Sequence, residues 1–141
     1  MQILRDYAMK FVGVPYKWGG SNPLEGVDCS GLLQLILAAA GLDPPGDQSA
    51  QGLYNHFEGK STHGIRQLGS IAFYGKSVRE ITHIAWCLDP YRIIQAGGGD
   101  HLTLTPLDAA RKNAFVKVTL INYRPDLVAV LKPLYTLIGI V

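Results

Sequence analysis

The stretch GVDCSGLLQLILAAAGL, residues 26–42, decides how this chain folds. If the residues from Leu32 onward form a helix, that helix is apolar on most sides, which predicts that it is buried in the core. Gly41 stands where a left-handed cap would end that helix. Cys29 lies at or just before the predicted first turn, where unpaired backbone N–H groups favour a negative charge. The thiol is therefore either a small packing residue, as free cysteines commonly are, or a reactive group that readily forms a thiolate.

Helices are predicted on both sides of this stretch. Residues 2–12 carry apolar side chains at the spacing of one helical face, and residues 48–57 predict another short helix. Between the first helix and the buried one, residues 16–27 form a loop rich in glycine, asparagine, serine and proline. The first half of the chain is thus predicted to be helical.

Short β-type runs separated by turns follow, at residues 70–75, 82–88, 92–97, 102–107 and 115–123. The sequence LDPY, residues 88–91, predicts a hairpin turn between the second and third of these runs. Helices first and strands afterwards indicate an α+β domain, in which the helices pack on an antiparallel sheet of about five strands.

Composition and charge limit the classes of function that are expected for this chain. The chain has 141 residues, enough for one domain with its own core, and a formal charge of +2 without a lysine or arginine cluster, so no nucleic-acid partner is predicted. Arg5, Asp6 and Lys10 interrupt the amino-terminal segment, so no signal peptide is expected. No membrane span is expected either, since the late apolar stretch is broken by Lys132 and Pro133. The histidines lack metal-ligand spacing, which predicts no metal and no cofactor.

A base for the thiol is available in the run THIAWCL, residues 82–88, where His83, Ala85 and Cys87 share one strand face. Gln95 lies in the otherwise apolar strand that follows, and a buried amide must find hydrogen-bond partners. The second nitrogen of His83 is one such partner, which would complete a thiol–imidazole–amide triad. Each residue alone also has a purely structural interpretation: His83 as a hydrogen-bonded strand residue, and Gln95 as an edge residue facing water. Cys87 is assigned to packing.

Three segments together resemble the NlpC-type family of bacterial cell-wall cysteine peptidases, which are compact relatives of papain. These are PYKWGGSNPLEGVDCSGLLQ, LGSIAFYG and THIAWCLDPYRIIQAGGG, and the similarity extends over residues 4–123. The most specific part is Tyr-x-Trp-Gly-Gly followed by Asp-Cys-Ser-Gly, with a strand histidine and a polar residue twelve positions after it. Two positions depart from the family pattern: Gln95 replaces the more usual histidine, and Gly69-Ser70 replaces Gly-Asp.

By position, the resemblance implies that Cys29 is the nucleophile, His83 the base and Gln95 the residue that orients His83. It also implies a substrate-binding role for Tyr16, Trp18, Asp28 and Ser30, with the Tyr16 hydroxyl polarising the substrate carbonyl. The backbone N–H of Cys29 is a natural oxyanion donor on physical grounds as well.

The function that the resemblance implies is hydrolysis of peptidoglycan stem peptides through a Cys29 thioester, at the bond between D-glutamate and the diamino acid. Two alternatives stay open. One is a non-catalytic papain-like module in a larger assembly, and the other is an amidase or acyltransferase on the same scaffold. Without a signal peptide, the expected location is a phage tail, or the wall after delivery by another machine, or otherwise the cytoplasm.

The C-terminal residues are unusually apolar for the end of a chain. Residues 1–125 are predicted to form the peptidase domain, and residues 126–141 an apolar C-terminal extension of the same domain. This extension carries more apolar surface than a solvated end should. It either folds back as a helix or strand onto its own domain, or docks on an assembly partner or a second copy of the chain.

Overall fold

The computed structural model describes residues 1–135, and residues 136–141 lie outside the described part. The helices are α1 (Gln2–Met9), α2 (Cys29–Ala39), α3 (Ala50–Phe57), which continues into a 3₁₀ turn at Glu58–Lys60, and α4 (Pro106–Lys112). The strands are β1 (Ser21–Asn22), β2 (Gly26–Val27), β3 (Ser61–His63), β4 (Ile71–Gly75), β5 (Ile81–Cys87), β6 (Arg92–Gly97), β7 (Phe115–Leu120) and β8 (Leu127–Pro133). Among residues 1–135, no helix has the length and apolar character needed to cross a bilayer.

Six strands form one antiparallel sheet in the order β3-β8-β4-β5-β6-β7, while β1 and β2 form a small separate ribbon. The α+β prediction is confirmed, with one strand more than the expected five. The predicted hairpin turn joins β5 to β6, where Asp89 accepts hydrogen bonds from the backbone N–H groups of Tyr91 and Arg92 at 2.8 Å.

The two faces of the sheet carry different cores. Helix α2 packs against β5 and β6, and its apolar side chains meet those of the facing strands in the main core, which includes Leu32, Leu33, Ile36, Leu37, Phe73, Ile84, Trp86 and Ile94. A smaller core on the opposite face includes Ala72, Tyr74, Ala85, Cys87, Ile93, Ile121 and Val130. Cys87 is fully buried there, which agrees with its assignment to packing.

The start of α2 is fixed by Asp28, which caps the helix. The Asp28 carboxylate accepts hydrogen bonds from the Gly31 backbone N–H at 2.7 Å and from the Ser30 hydroxyl at 3.2 Å. Gly31 lies so close to the carbonyl oxygen of Gly20 that a Cβ at position 31 would overlap it. The glycine is therefore required for the preceding loop to approach the helix and hold Cys29 at the first turn.

The prediction of a strand at residues 102–107 is wrong. These residues form a turn that leads into α4, because Thr105 and Asp108 make a capping box in which each side chain accepts a hydrogen bond from the other's backbone N–H at 3.1 Å. Pro106 occupies the first position of the helix, where its fixed φ and missing N–H are tolerated. The alternation of leucine and threonine that resembled a strand thus precedes a helix.

The apolar C-terminal segment lies inside the sheet. Strand β8 pairs with β3 on one side and with β4 on the other, with Leu131 opposite both His63 and Ile71. Beyond it, the buried Tyr135 hydroxyl donates a hydrogen bond to the carbonyl oxygen of Gly69 at 2.6 Å and accepts one from Trp86 Nε1 at 3.1 Å. Residues 127–135 therefore pack largely on their own domain, as the fold-back alternative predicts, whereas residues 136–141 lie outside the described part.

Candidate active site

A cleft of about 390 Å³ lies where the start of α2 meets the start of β5. Four of the predicted site residues line it: Tyr16, Trp18, Cys29 and His83. The rest of the lining is supplied by Thr82, Ala96, Gly97, Gly98, Gly99, Asp100, His101, Tyr123 and Arg124. The thiol and the imidazole, which are 54 positions apart in the sequence, therefore share one cleft.

Cys29 is a free thiol at the first residue of α2. Burial and then the negative charge of Asp28 raise its pKa to about 12, although backbone hydrogen bonds from Ile84, Ser30 and Cys29 itself act in the opposite direction. The expectation that the helix start readily yields a thiolate is therefore wrong for the free protein, because loss of hydration outweighs the N–H groups. The thiol is protonated at rest.

A β-bulge immediately precedes His83. Tyr74 of β4 pairs with His83, and Gly75 pairs with Ile81, so Thr82 is an extra residue on β5. Bulges of this kind redirect the neighbouring side chain and are common beside active sites. His83 is largely buried, and its ring packs against that of Tyr74 with the ring centres 5.7 Å apart.

The imidazole of His83 has a defined tautomer, because its Nε2 lies 2.6 Å from Gln95 Oε1. The same amide donates its NH₂ to Thr119 Oγ1 at 2.7 Å, and its oxygen also accepts a hydrogen bond from the Tyr123 hydroxyl at 2.8 Å. An amide oxygen only accepts, so His83 Nε2 must carry the proton and Nδ1 is left as the basic nitrogen.

Burial lowers the pKa of His83 to about 4, although the hydrogen bond to Gln95 raises it in part. The imidazole is therefore neutral at pH 7 and can accept a proton. Gln95 is buried behind it and does not line the cleft. This agrees with a role in orienting His83 rather than in contacting substrate.

Tyr16 is positioned as a hydrogen-bond donor. Its backbone N–H donates to the Ala114 carbonyl at 3.0 Å, and Gly99 lies directly against its ring. Burial, with the negative charge of Asp28 adding to it, raises the pKa of the Tyr16 hydroxyl well above its usual range. The phenol therefore keeps its proton beside the thiol.

Trp18 lies at the mouth of the cleft. Its side chain is half exposed, and the edge of its ring contacts His101 with the ring centres 6.3 Å apart. Its backbone N–H donates to the Thr103 carbonyl oxygen at 2.8 Å, which ties the Trp-Gly-Gly loop to the loop after β6. The apolar ring is thus available to a molecule that enters the cleft.

Asp28 and Ser30, predicted to flank the substrate, do not belong to the cleft lining. Their side chains bond to each other and cap α2. The structure gives them a role in holding Cys29, while the charge of Asp28 also raises the pKa of the thiol. Within residues 1–135, no three histidine, cysteine or acidic side chains gather as metal ligands would.

Sequence reasoning missed Thr119 and Tyr123, both of which bond to Gln95. Alternation along β7 would have placed Thr119 on the same sheet face as Lys117, which pairs with Gln95. Tyr123 lies beyond β7 in a turn, where no local pattern points to the site.

Comparison with known proteins identifies this arrangement. The NlpC/P60 family profile matches residues 13–120, which include the thiol, the imidazole and the amide. The chain belongs to the NlpC/P60 family. The resemblance seen in the sequence is thereby confirmed.

Two curated relatives come from Bacillus subtilis (strain 168). The bifunctional muramidase/DL-endopeptidase CwlT is 39% identical over 79 residues, which cover 55% of this chain and 23% of the relative. The gamma-DL-glutamyl hydrolase is 33% identical over 102 residues, which cover 71% of this chain and 24% of the relative. The chain thus matches about a quarter of the length of each.

Among solved structures, the NlpC/p60 domain of the peptidoglycan hydrolase SagA superposes with a TM-score of 0.64. It is 25% identical in sequence, and the match covers 92% of this chain and 95% of that domain. The described fold is therefore that of a whole NlpC/P60 domain.

Proposed function

We propose that this chain is a cysteine endopeptidase that hydrolyses peptidoglycan stem peptides. The observation that carries the proposal is the shared cleft of Cys29 and His83, with Gln95 bonded to the imidazole nitrogen that does not serve as base. A thiol, a base and a residue that orients the base are the parts of a nucleophilic triad. Family membership and the names of the relatives support the same chemistry.

The reaction begins from a neutral thiol and a neutral imidazole. When the substrate carbonyl reaches Cys29 Sγ, the thiol proton moves to His83 Nδ1 as sulfur attacks the carbonyl carbon. The backbone N–H of Cys29 and the Tyr16 hydroxyl are the donors that stabilise the negative charge developing on the carbonyl oxygen. Because the proton is transferred during the attack, neither a free thiolate nor a free imidazolium has to form beforehand in this buried site.

The attack produces a tetrahedral intermediate, and its collapse breaks the C–N bond of the substrate. His83 returns its proton to the leaving amine, and the acyl group remains on Cys29 as a thioester. A water molecule then gives a proton to His83 and attacks the thioester. The carboxylic acid product leaves, and the proton returns to the thiolate, which restores both groups.

The proposed bond is the γ-linkage between D-glutamate and the diamino acid. Its support is that the two relatives are named for DL-endopeptidase and gamma-DL-glutamyl hydrolase activity, respectively. A bond of this type joins residues of opposite hand, so the cleft would have to accept a D-residue on the acyl side.

The test is digestion of purified peptidoglycan followed by mass spectrometry of the released fragments. Wild-type protein should release fragments with a new free amine on the diamino acid and a new carboxyl group on the glutamyl residue. Cys29→Ala should release none. Cys87→Ala, the matched control, should retain activity, since Cys87 is buried in the smaller core away from the cleft.

The products also separate the alternatives. Cleavage between sugar and stem peptide would identify an amidase, and a new amide bond to an added amine would identify an acyltransferase. Binding of peptidoglycan without any new terminus, by wild type and Cys29→Ala alike, would identify a non-catalytic module and refute the proposal.

A further inference from the structure

The orientation of the Gln95 amide is decisive for the site. The amide has an accepting end and a donating end of nearly the same shape. In the structure its oxygen faces His83 Nε2, and its NH₂ faces Thr119. A half-turn of the amide would present NH₂ to His83 Nε2, which would then have to accept. The proton of the neutral imidazole would move to Nδ1, and the nitrogen needed as base would be lost.

Thr119 alone does not select the productive orientation. A hydroxyl can donate or accept, so Thr119 satisfies either end of the amide. Burial of Gln95 adds no preference, because both orientations occupy the same space. The selection must come from the other contact, in which the Tyr123 hydroxyl lies 2.8 Å from Gln95 Oε1.

Tyr123 is held as a donor by its neighbour. The Arg124 guanidinium lies beside the Tyr123 hydroxyl, where its positive charge acts to lower the pKa of the phenol, and a guanidinium can only donate. The phenolic oxygen therefore faces the positive charge of Arg124, and its proton is directed away from that charge to Gln95. Arg124 is itself fixed by two hydrogen bonds to Asp126, at 2.5 and 2.6 Å, and lies over the ring of Tyr74. The permanent positive charge of Arg124 thus sets the direction of donation.

We propose that Tyr123, held by Arg124, is a positioning residue that fixes the Gln95 amide and thereby keeps the proton of His83 on Nε2. Tyr123 donates to the Gln95 amide oxygen beside the charge of Arg124, and His83 donates to the same oxygen. The kinetic consequence of this assignment rests on the proposed peptidase function. The tautomer of His83 does not, and it is measurable without substrate.

Tyr123→Phe removes the hydroxyl and keeps the ring, which packs against Tyr74 and His83. Nitrogen-15 NMR of the wild type should show a proton bonded to His83 Nε2 and none on Nδ1. The Phe variant should show both tautomers. Tyr91→Phe, which alters an exposed tyrosine outside the cleft, should leave the wild-type pattern.

In turnover of stem peptides, Tyr123→Phe should lower kcat roughly 10-fold, the size expected for one lost hydrogen bond, with KM unchanged. The same change in a Gln95→Ala background should cost nothing further, because the residue through which Tyr123 acts is gone. A merely structural role would not give this non-additivity.

Several results would overturn the proposal. A wild-type His83 with its proton on Nδ1 contradicts it directly, as does a single Nε2–H tautomer retained in Tyr123→Phe. An equal loss of kcat in the presence and absence of Gln95 shows that Tyr123 acts by another route. A change in KM alone shows that the hydroxyl contacts substrate. If the protein cleaves no peptide but the tautomers mix as expected, the proposed function fails and the positioning role stands.

Discussion

Replacing His83 with glutamine should remove a specific acid sensitivity from the folding free energy. His83 is 8% exposed, and burial lowers its pKa from 6.5 to about 4. A histidine whose pKa is lower in the folded state is protonated more readily in the unfolded chain. Its neutral form therefore contributes stability that is fully present above pH 6.5 and is lost as the pH falls toward 4.

The size of the loss follows from the pKa values. Each pH unit between the two values costs about 1.4 kcal/mol. At pH 5, which is 1.5 units below the unfolded value, the wild type should therefore have lost about 2 kcal/mol through this residue alone. Near pH 4 the loss should approach about 3 kcal/mol. Glutamine cannot titrate, so the His83→Gln variant lacks this term while sharing every other titrating group.

The assay is urea unfolding of both proteins at pH 7 and pH 5. The wild type should lose about 2 kcal/mol more than His83→Gln over this interval. The other histidine with a lowered pKa, His56, is present in both proteins and cancels in the difference. Equal losses would refute the argument. A gain in wild-type stability at pH 5 would show instead that His83 is stabilised as imidazolium beside a thiolate.

Two further predictions concern the frame that holds the site. Gly31→Ala should destabilise the fold by at least about 2 kcal/mol in urea unfolding and lower turnover, because the added methyl overlaps the loop before α2. Gly59→Ala, where a Cβ meets open space, should change neither quantity. Leu131→Ala should cost about 2–5 kcal/mol, since this side chain is fully buried in β8, whereas Leu134→Ala at a half-exposed position should cost less than about 0.5 kcal/mol. Similar costs within either pair would contradict the packing described for it.

Periodicity and caps predicted most of the architecture. The buried helix begins at Cys29 and is followed by Gly41 with a φ of 71°, as its apolar run and the glycine indicated. The hairpin between β5 and β6 followed from its turn residues, which act locally. Residues 102–107 misled because alternating leucine and threonine satisfies the strand pattern, while the cap that decides for a helix depends on Asp108, outside that window.

The position of β8 could not be predicted from its own residues. Its apolar character required burial, but the place of burial is set by unpaired edges on β3 and β4 that only the assembled sheet presents. The sequence therefore left both a self-packed segment and a docking segment compatible with the pattern.

The site was predictable where residue type and sequence context decide the chemistry, and unpredictable where burial and tertiary contacts decide it. Cys29, His83 and Gln95 are each marked by type and context, and register brings His83 and Gln95 into contact. The thiol pKa was mispredicted, since the helix start is visible in the sequence but the burial that outweighs it is not. Tyr123 was missed because its approach to Gln95 requires the turn after β7 to close over the sheet.

The central claim is that Cys29 forms a thioester with the acyl half of a stem peptide. Wild-type protein mixed with a γ-D-glutamyl stem peptide, quenched with acid within one turnover and digested, can be examined by peptide mass spectrometry. The peptide that carries Cys29 should gain the mass of the glutamyl fragment, the adduct should be lost with hydroxylamine, and Cys87→Ala should give the same result. Release of product by wild type with no adduct at Cys29, or by Cys29→Ala at the wild-type rate, would contradict the account.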